Sequence, residues 1–156
     1  MCSFDAIIIG AGQAGPALAG RLNAAGQSVA IIEQHLVGGT CVNTVCRPTK
    51  TLVASAYAIQ TARRGKDYGF NVAGSVTVDM KAVAARADQV IRDGRAGNES
   101  WLCGMANVEL IRGHARFEGS NVIAAAGERL TAPPSSSTSG VVRWCRTCQA
   151  WIRFPS

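Results

Sequence analysis

The chain opens on an apolar, β-branched run, Phe4-Asp5-Ala6-Ile7-Ile8-Ile9, of the kind that fills a parallel strand buried on both faces. Gly10-Ala11-Gly12-Gln13-Ala14-Gly15 interrupts it. From Pro16 to Gly26 the apolar residues return at helical spacing, and Gly26 suits a helix C-terminus. Ser28-Val29-Ala30-Ile31-Ile32 reads as a second strand and ends on Glu33. Thr49 to Arg64 alternates small apolar and polar residues at helical spacing and stops at Gly65. Thr77-Val78-Asp79-Met80 opens another helix, with Asp79 as N-cap, running to about Gly94 or Trp101. Asn107 to Phe117, Asn121 to Ala125 and Glu128 to Leu130 read as short strands of a β-meander. Strand, glycine loop, helix and strand in that order predict an α/β, Rossmann-like fold with a parallel sheet, the meander added to it.

Length and composition narrow this little. At 156 residues the chain is one domain or a piece of one. It carries no internal repeat and no apolar stretch long enough to span a membrane. The run from Phe4 to Ile9 is too short for a signal peptide and leads directly into the glycine loop, so a cytoplasmic location is expected. The six cysteines do not form a framework of the secreted kind. From Pro133 the composition shifts to a Pro/Ser/Thr stretch and then a basic, aperiodic run with two of the three tryptophans. The net charge of +6 falls to +3 without that tail, which holds Arg143, Arg146 and Arg153 and no acid. A nucleic-acid partner is therefore not indicated.

The glycine loop has a chemistry of its own. Gly10 makes the tight turn, Gly12 lets a pyrophosphate approach the backbone, and Gly15 lets helix and strand pack closely. The helix N-terminus presents free N–H groups and partial positive charge to the phosphates. Glu33 stands where an acid accepts hydrogen bonds from a ribose. These residues point to a dinucleotide and leave FAD and NAD equally open.

Downstream lies Gly38-Gly39-Thr40-Cys41-Val42-Asn43-Thr44-Val45-Cys46-Arg47-Pro48-Thr49-Lys50. Cys41 and Cys46 are close enough in sequence to open and close as a disulfide, and held in one helical turn they would form a strained, easily reduced bridge. The plainer alternative is two thiols packed as small hydrophobes. Cys103 reads as a packed core thiol. His35 and His114 are isolated, and Cys145-x-x-Cys148 is half a zinc site without a second ligand pair, so no metal centre is expected.

This segment resembles the G-G-T-C-x-N-x-G-C-x-P-[ST]-K motif of the FAD-dependent pyridine nucleotide–disulfide oxidoreductases, which include dihydrolipoamide dehydrogenase, glutathione reductase and mercuric reductase. It departs from the motif at Val45, where the family has Gly, and carries Arg47 where an aliphatic residue is usual. Thr49, the Thr-Leu-Val-Ala-Ser-Ala run after Lys50, and Gly113-His114-Ala115-Arg116-Phe117 look most like the mercuric-reductase-like branch. The resemblance covers roughly residues 4 to 132.

The resemblance implies that residues 1–132 are the N-terminal part of an FAD-binding domain, incomplete in itself. Cys41 would be the interchange thiol that meets the substrate, and Cys46 the thiol nearer the flavin. Lys50 would lie near the reactive edge of the isoalloxazine. Gly39 and Thr40 would line the pyrophosphate and ribityl chain, and Ala115 would offer backbone contacts to the adenine. Electrons would pass from NAD(P)H through FAD to the Cys41–Cys46 disulfide and on to a small-molecule disulfide or a metal ion. The intact family also implies a homodimer, a nicotinamide domain and an interface domain, for which this sequence carries no second glycine loop. Val45 is expected to clash with the flavin or strain its turn. Arg47 is expected to lower a thiol pKa or disturb packing.

Residues 133–156 do not continue the family pattern. Read from each codon's third base, Trp144-Cys145 gives Val and Trp151-Ile152 gives Asp. With permitted codons the surrounding stretch then becomes one the family carries at this place. The expectation is a frameshifted, disordered tail. The alternative to an enzyme is then a non-catalytic flavin-binding fragment, or an unstable product.

Overall fold

The structure is a computed structural model that describes residues 1–133. The reading of the tail therefore lies, but for Pro133, outside the described residues. The element order is β1 (Cys2–Ser3), β2 (Ala6–Ile9), α1 (Ala14–Ala24), β3 (Val29–Glu33), α2 (Gly39–Asn43), α3 (Cys46–Arg63), a 3₁₀ turn (Gly65–Tyr68), α4 (Met80–Cys103), β4 (Val108–Arg112), β5 (Arg116–Phe117), β6 (Val122–Ala125) and β7 (Glu128–Thr131).

Three layers result. The middle layer is a parallel sheet in the order β2-β3-β4, with Ala6 opposite Val29 and Val29 opposite Val108. Successive side chains point to opposite faces of a strand. On one face Ala6, Ile8, Val29 and Ile31 pack with Ala19 of α1 and Leu102 of α4. On the other Ile7, Ala30 and Ile32 meet Ile123, Ala125 and Leu130 of the second sheet. Both faces of β2 and β3 are covered, which is why their sequences read as unbroken apolar runs rather than alternating ones.

The second sheet has the order β1-β7-β6-β5. Strands β5, β6 and β7 form the antiparallel meander. β1 joins its edge parallel to β7, pairing Cys2 with Leu130 and Ser3 with Thr131. A two-residue strand thus precedes the first apolar run, of which Ala6–Ile9 is strand. The chain changes sheet at Phe4-Asp5, where Phe4 N–H still donates to Thr131 O, while Asp5 binds Ser28 beside β3.

The stretch 107–117 is also two elements, contrary to the sequence-based expectation of one meander strand. Val108–Arg112 follows α4 and adds to the parallel sheet, with Glu33 opposite Arg112, and only Arg116–Phe117 enters the meander. The break is Gly113-His114-Ala115.

Helix α4 starts as expected: Asp79 Oδ1 accepts from the N–H of Lys81 at 2.9 Å and of Ala82 at 3.0 Å. Its last turn buries Leu102 and leaves Cys103 exposed, so Cys103 is not a core thiol. Leu102 lies under the sheet, and its neighbour in a helix points elsewhere. Helix α3 begins at Cys46, earlier than the expected Thr49, because Pro48 falls in its first turn, where the missing N–H loses no helix bond. No helix among the described residues is long and apolar enough to cross a membrane.

Candidate redox and nucleotide site

The parallel strands end together, and the glycine loop, Glu33 and the turn after β4 lie at that C-terminal edge, where open α/β sheets bind ligands. Gly10 takes φ +100, a left-handed value that favours glycine, and its N–H donates to Ile32 O at 2.7 Å. A Cβ at Gly15 would collide with the carbonyl oxygen of Gly10 and come within 3.3 Å of Ile31 Cδ1. That closeness is the packing role read from the sequence. A Cβ at Gly12 would meet nothing within 4 Å, so open space lies in front of this backbone. No side chain caps the N-terminus of α1 behind it.

Glu33 sits inside this arrangement. One carboxylate oxygen accepts from Ala11 N–H at 2.8 Å and the other from His35 N–H at 2.8 Å. The acid thus braces the glycine loop as well as facing the edge, and each oxygen keeps a lone pair for a further donor. Gly113 N–H donates to Glu33 O at 3.0 Å, which brings the turn carrying Ala115 beside Glu33. Ala115 itself packs against the second sheet's core.

The cysteine segment docks onto the glycine loop. Gly38 N–H donates to Ala11 O at 2.7 Å, and Gln13 Nε2 donates to Gly38 O at 3.5 Å. Gly38 (φ +93) and Gly39 (φ +57) are both left-handed, and a Cβ on Gly39 would stand 3.0 Å from Gly12 Cα. The glycines of the two motifs therefore back onto each other. Thr40 is exposed; its carbonyl accepts from Thr44 N–H, Val45 N–H and Thr44 Oγ1, and its hydroxyl has no partner among the described residues.

Asn43, which sequence reasoning passed over, ties this loop together. Its Nδ2 donates to Val37 O at 3.1 Å and Gly39 O at 2.8 Å, and its Oδ1 accepts from Arg95 Nε of α4 at 2.9 Å. The only available signal was the Asn inside the motif; nothing in the sequence pointed to Arg95.

The two thiols lie in different helices. Cys41 is in α2 and Cys46 is the first residue of α3, with the break at Thr44-Val45. The expectation of a pair within one helical turn is corrected. Val45 turns the chain between the helices with φ −121, a negative value, so no left-handed glycine is called for there. Its side chain is 51% exposed. Both thiols are partly exposed and reduced. A hydrogen bond to Cys46 is the main cause that holds the Cys41 thiol above the usual 9.0; burial and the charge of Cys46 act the same way, and Lys50 and Arg47 oppose them. No side chain caps the N-terminus of α3, at whose first residue Cys46 stands.

The structure therefore gathers Gly10, Gly12, Gly15, Glu33, Gly39 and Thr40 around one edge and sets Cys41, Cys46 and Lys50 at its side, while Ala115 reaches it through the turn after β4. A concave apolar surface lies elsewhere. It is an apolar trough of about 590 Å³ between α3 and the start of α4, lined by Leu52, Val53, Tyr57 and Met80 among others, and it holds none of these residues. No group of three His, Cys, Asp or Glu side chains among the described residues is placed to hold a metal ion. Cys145 and Cys148 lie outside the described residues.

The sequence pattern of the pyridine nucleotide-disulphide oxidoreductases matches residues 4–153. The chain belongs to this family. Within the pyridine nucleotide-disulphide oxidoreductases it is 31% identical to a dihydrolipoyl dehydrogenase of Acholeplasma laidlawii over 127 residues, which are 81% of this chain and 38% of that protein. It is 38% identical to the dihydrolipoyl dehydrogenase of Rhizobium etli over 115 residues, 74% of this chain and 24% of that protein. Among solved structures of the family, the HOCl-induced flavoprotein disulfide reductase RclA of Escherichia coli superposes with a TM-score of 0.65 at 33% identity, covering 82% of this chain and 26% of that one. The chain thus spans 24% to 38% of the length of these relatives.

Proposed function

We propose that this chain is the FAD-binding, dithiol-bearing part of a flavin-dependent disulfide oxidoreductase that draws electrons from NAD(P)H. One observation carries the reading: the cysteine segment is hydrogen-bonded to the glycine loop through Gly38, Ala11 and Gln13, so a dinucleotide on one would lie against the dithiol of the other.

The residues fit FAD. The open space before Gly12 and the uncapped α1 would take the pyrophosphate, and Glu33 the ribose of the adenosine half, with the backbone around Ala115 beside it. Gly39 and Thr40 would line the path toward the cysteines, and Lys50 would stand near the flavin ring. Bound FAD would supply the two-electron link between a nicotinamide and the dithiol.

The family resemblance supports the following roles for the dithiol. The Cys41 thiolate attacks a sulfur of a substrate disulfide; an S–S bond forms, the substrate's bond breaks, and one sulfur leaves as a thiolate that takes up a proton. The Cys46 thiolate then attacks the Cys41 sulfur and expels the second substrate thiol. The dithiol loses two electrons and becomes a disulfide, and the substrate gains them as two thiols. A disulfide substrate is favoured over a metal ion because the relatives are named for dihydrolipoyl and disulfide chemistry. The family homodimer is part of the proposal for the intact enzyme.

The test is flavin retention. The purified chain is incubated with FAD, desalted and scanned for flavin absorbance, and its dithiol is titrated before and after mild oxidation. The expected result is bound flavin and two thiols that disappear together, a loss abolished by Cys41→Ser or Cys46→Ser. No retained flavin, with thiols that oxidise independently, would refute it.

A further inference from the structure

Arg47 departs from the family motif, and the structure gives it a seat. Its side chain lies over Gly94 in the middle of α4: a Cβ on Gly94 would collide with Arg47 Nη1 and approach Cζ to 2.8 Å and Cδ to 3.2 Å. Gly94 is buried and is not among the glycines with positive φ, so its backbone conformation does not call for glycine. Glycine is the least favoured residue in a helix interior after proline. What its missing side chain provides here is room for the guanidinium.

Resting on the function proposed above, we propose that Arg47, seated on Gly94, is a positioning residue. It fixes a permanent positive charge beside the Cys41–Cys46 pair and thereby favours the reactive thiolate at neutral pH.

Arg47 is exposed, and its charge acts with that of Lys50 in opposing the rise at Cys41. Arg47 follows Cys46 directly in the first turn of α3, and its carbonyl accepts from Thr51 Oγ1 at 2.8 Å, which helps hold that turn. From α3 the groups acting on Cys41 are Cys46, Lys50 and Arg47. From α4, Arg95 is engaged with Asn43. The acids of that stretch are occupied: Asp93 accepts from Gln89, and Glu99 pairs with Arg112 at 2.9 Å. A guanidinium stays charged across the whole working range, so it acts as a constant field rather than a titrating one. The proton released by the thiol goes to solvent, and the thiolate is the nucleophile.

The experiment reads thiol reactivity directly and needs no flavin. The reduced chain and the variants Arg47→Ile, Arg47→Lys and Gly94→Ala are alkylated with iodoacetamide across neutral to alkaline pH, and labelling at Cys41 and Cys46 is quantified by peptide mass spectrometry. Arg47→Ile is expected to slow Cys41 labelling at neutral pH by about twofold, as loss of an exposed charge would, and to move the profile upward. Arg47→Lys restores part of it. Gly94→Ala should reproduce the Arg47→Ile profile by displacing the guanidinium, while its thermal midpoint stays at or above the parent's, because alanine is the better helix former. Weakened thiols in a helix that is no less stable cannot come from general unfolding. Superimposable profiles for the parent and Arg47→Ile would overturn the charge effect, and a parental profile for Gly94→Ala would overturn the seat. Flavin retention is scored separately on the same proteins, so failure of the function proposal is distinguishable from failure of this one.

Discussion

Replacing Asn43 with alanine removes three hydrogen bonds at once. Two are neutral, from Nδ2 to Val37 O and Gly39 O, and one is accepted from the Arg95 guanidinium at 2.9 Å. A neutral bond contributes about 1 kcal/mol net and one to a charged group about 1.5 kcal/mol or more. Asn43 is only partly buried, and water recovers some of this, so the expected loss is about 2 to 3 kcal/mol. The loop freed is the one that holds Gly38 and Gly39 against Gly12. Urea unfolding of the reduced chain measures the loss, and Asn43→Ala, Arg95→Ala and the double variant together should give a coupling energy of about 1 kcal/mol. Asn43→Asp is the sharper control. It keeps the acceptor for Arg95 but turns carboxylate oxygen toward two carbonyls, so it should be no more stable than the alanine variant. An Asn43→Ala midpoint within about 0.5 kcal/mol of the parent, the range of ordinary surface changes, would refute the assignment of this side chain as the clasp.

Two further outcomes follow from the glycine loop and its neighbourhood. Gly15→Ala should lose about 1 to 3 kcal/mol in urea unfolding, because its Cβ overlaps the Gly10 carbonyl, which is backbone and gives way poorly; Gly12→Ala, with nothing within 4 Å, should fold as the parent does yet retain less flavin, and equal stability of the two variants would contradict this picture. Asp5 accepts from both the N–H and the hydroxyl of Ser28, which holds its carboxyl below 3.8, so it contributes stability above that value and loses it as pH falls through the lower folded value; the gap in unfolding midpoint between the parent and Asp5→Asn should therefore narrow on acidification below 3.8, and a gap unchanged by pH would refute it.

Much of this was readable before the fold was known, for physical reasons that differ by element. Strands β2 and β3 announced themselves because both faces are covered, which leaves no polar positions to blur the pattern. Asp79 was legible because a short carboxylate ahead of a helix has one obvious use. The glycine loop was legible because the functions of Gly10 and Gly15 are steric and local. Other features depended on long-range contacts. The assignment of 107–117 to one sheet failed because a strand's partner is chosen by the crossover through α4, which no local pattern records. Cys103 was misplaced because Leu102 beside it claimed the buried position. The dual role of Glu33, as brace for Ala11 as well as candidate ribose acceptor, and the bond between Asn43 and Arg95 join residues far apart in sequence.

The pairing of β1 with β7 joins Cys2 to Leu130. Closing so long a loop is entropically unfavourable until the intervening layers are in place, and contacts of this separation slow folding. During synthesis the first strand must therefore wait for almost all of the described chain. At ribosomal rates of about 5–20 residues per second that wait is on the order of ten seconds. Throughout it the β-branched run beginning at Ala6 can find its neighbour β3 early, while Cys2 and Ser3 stay without their β7 partners. That sheet edge is thus the last part of the described chain to form and, by the same contacts, ties its two ends together.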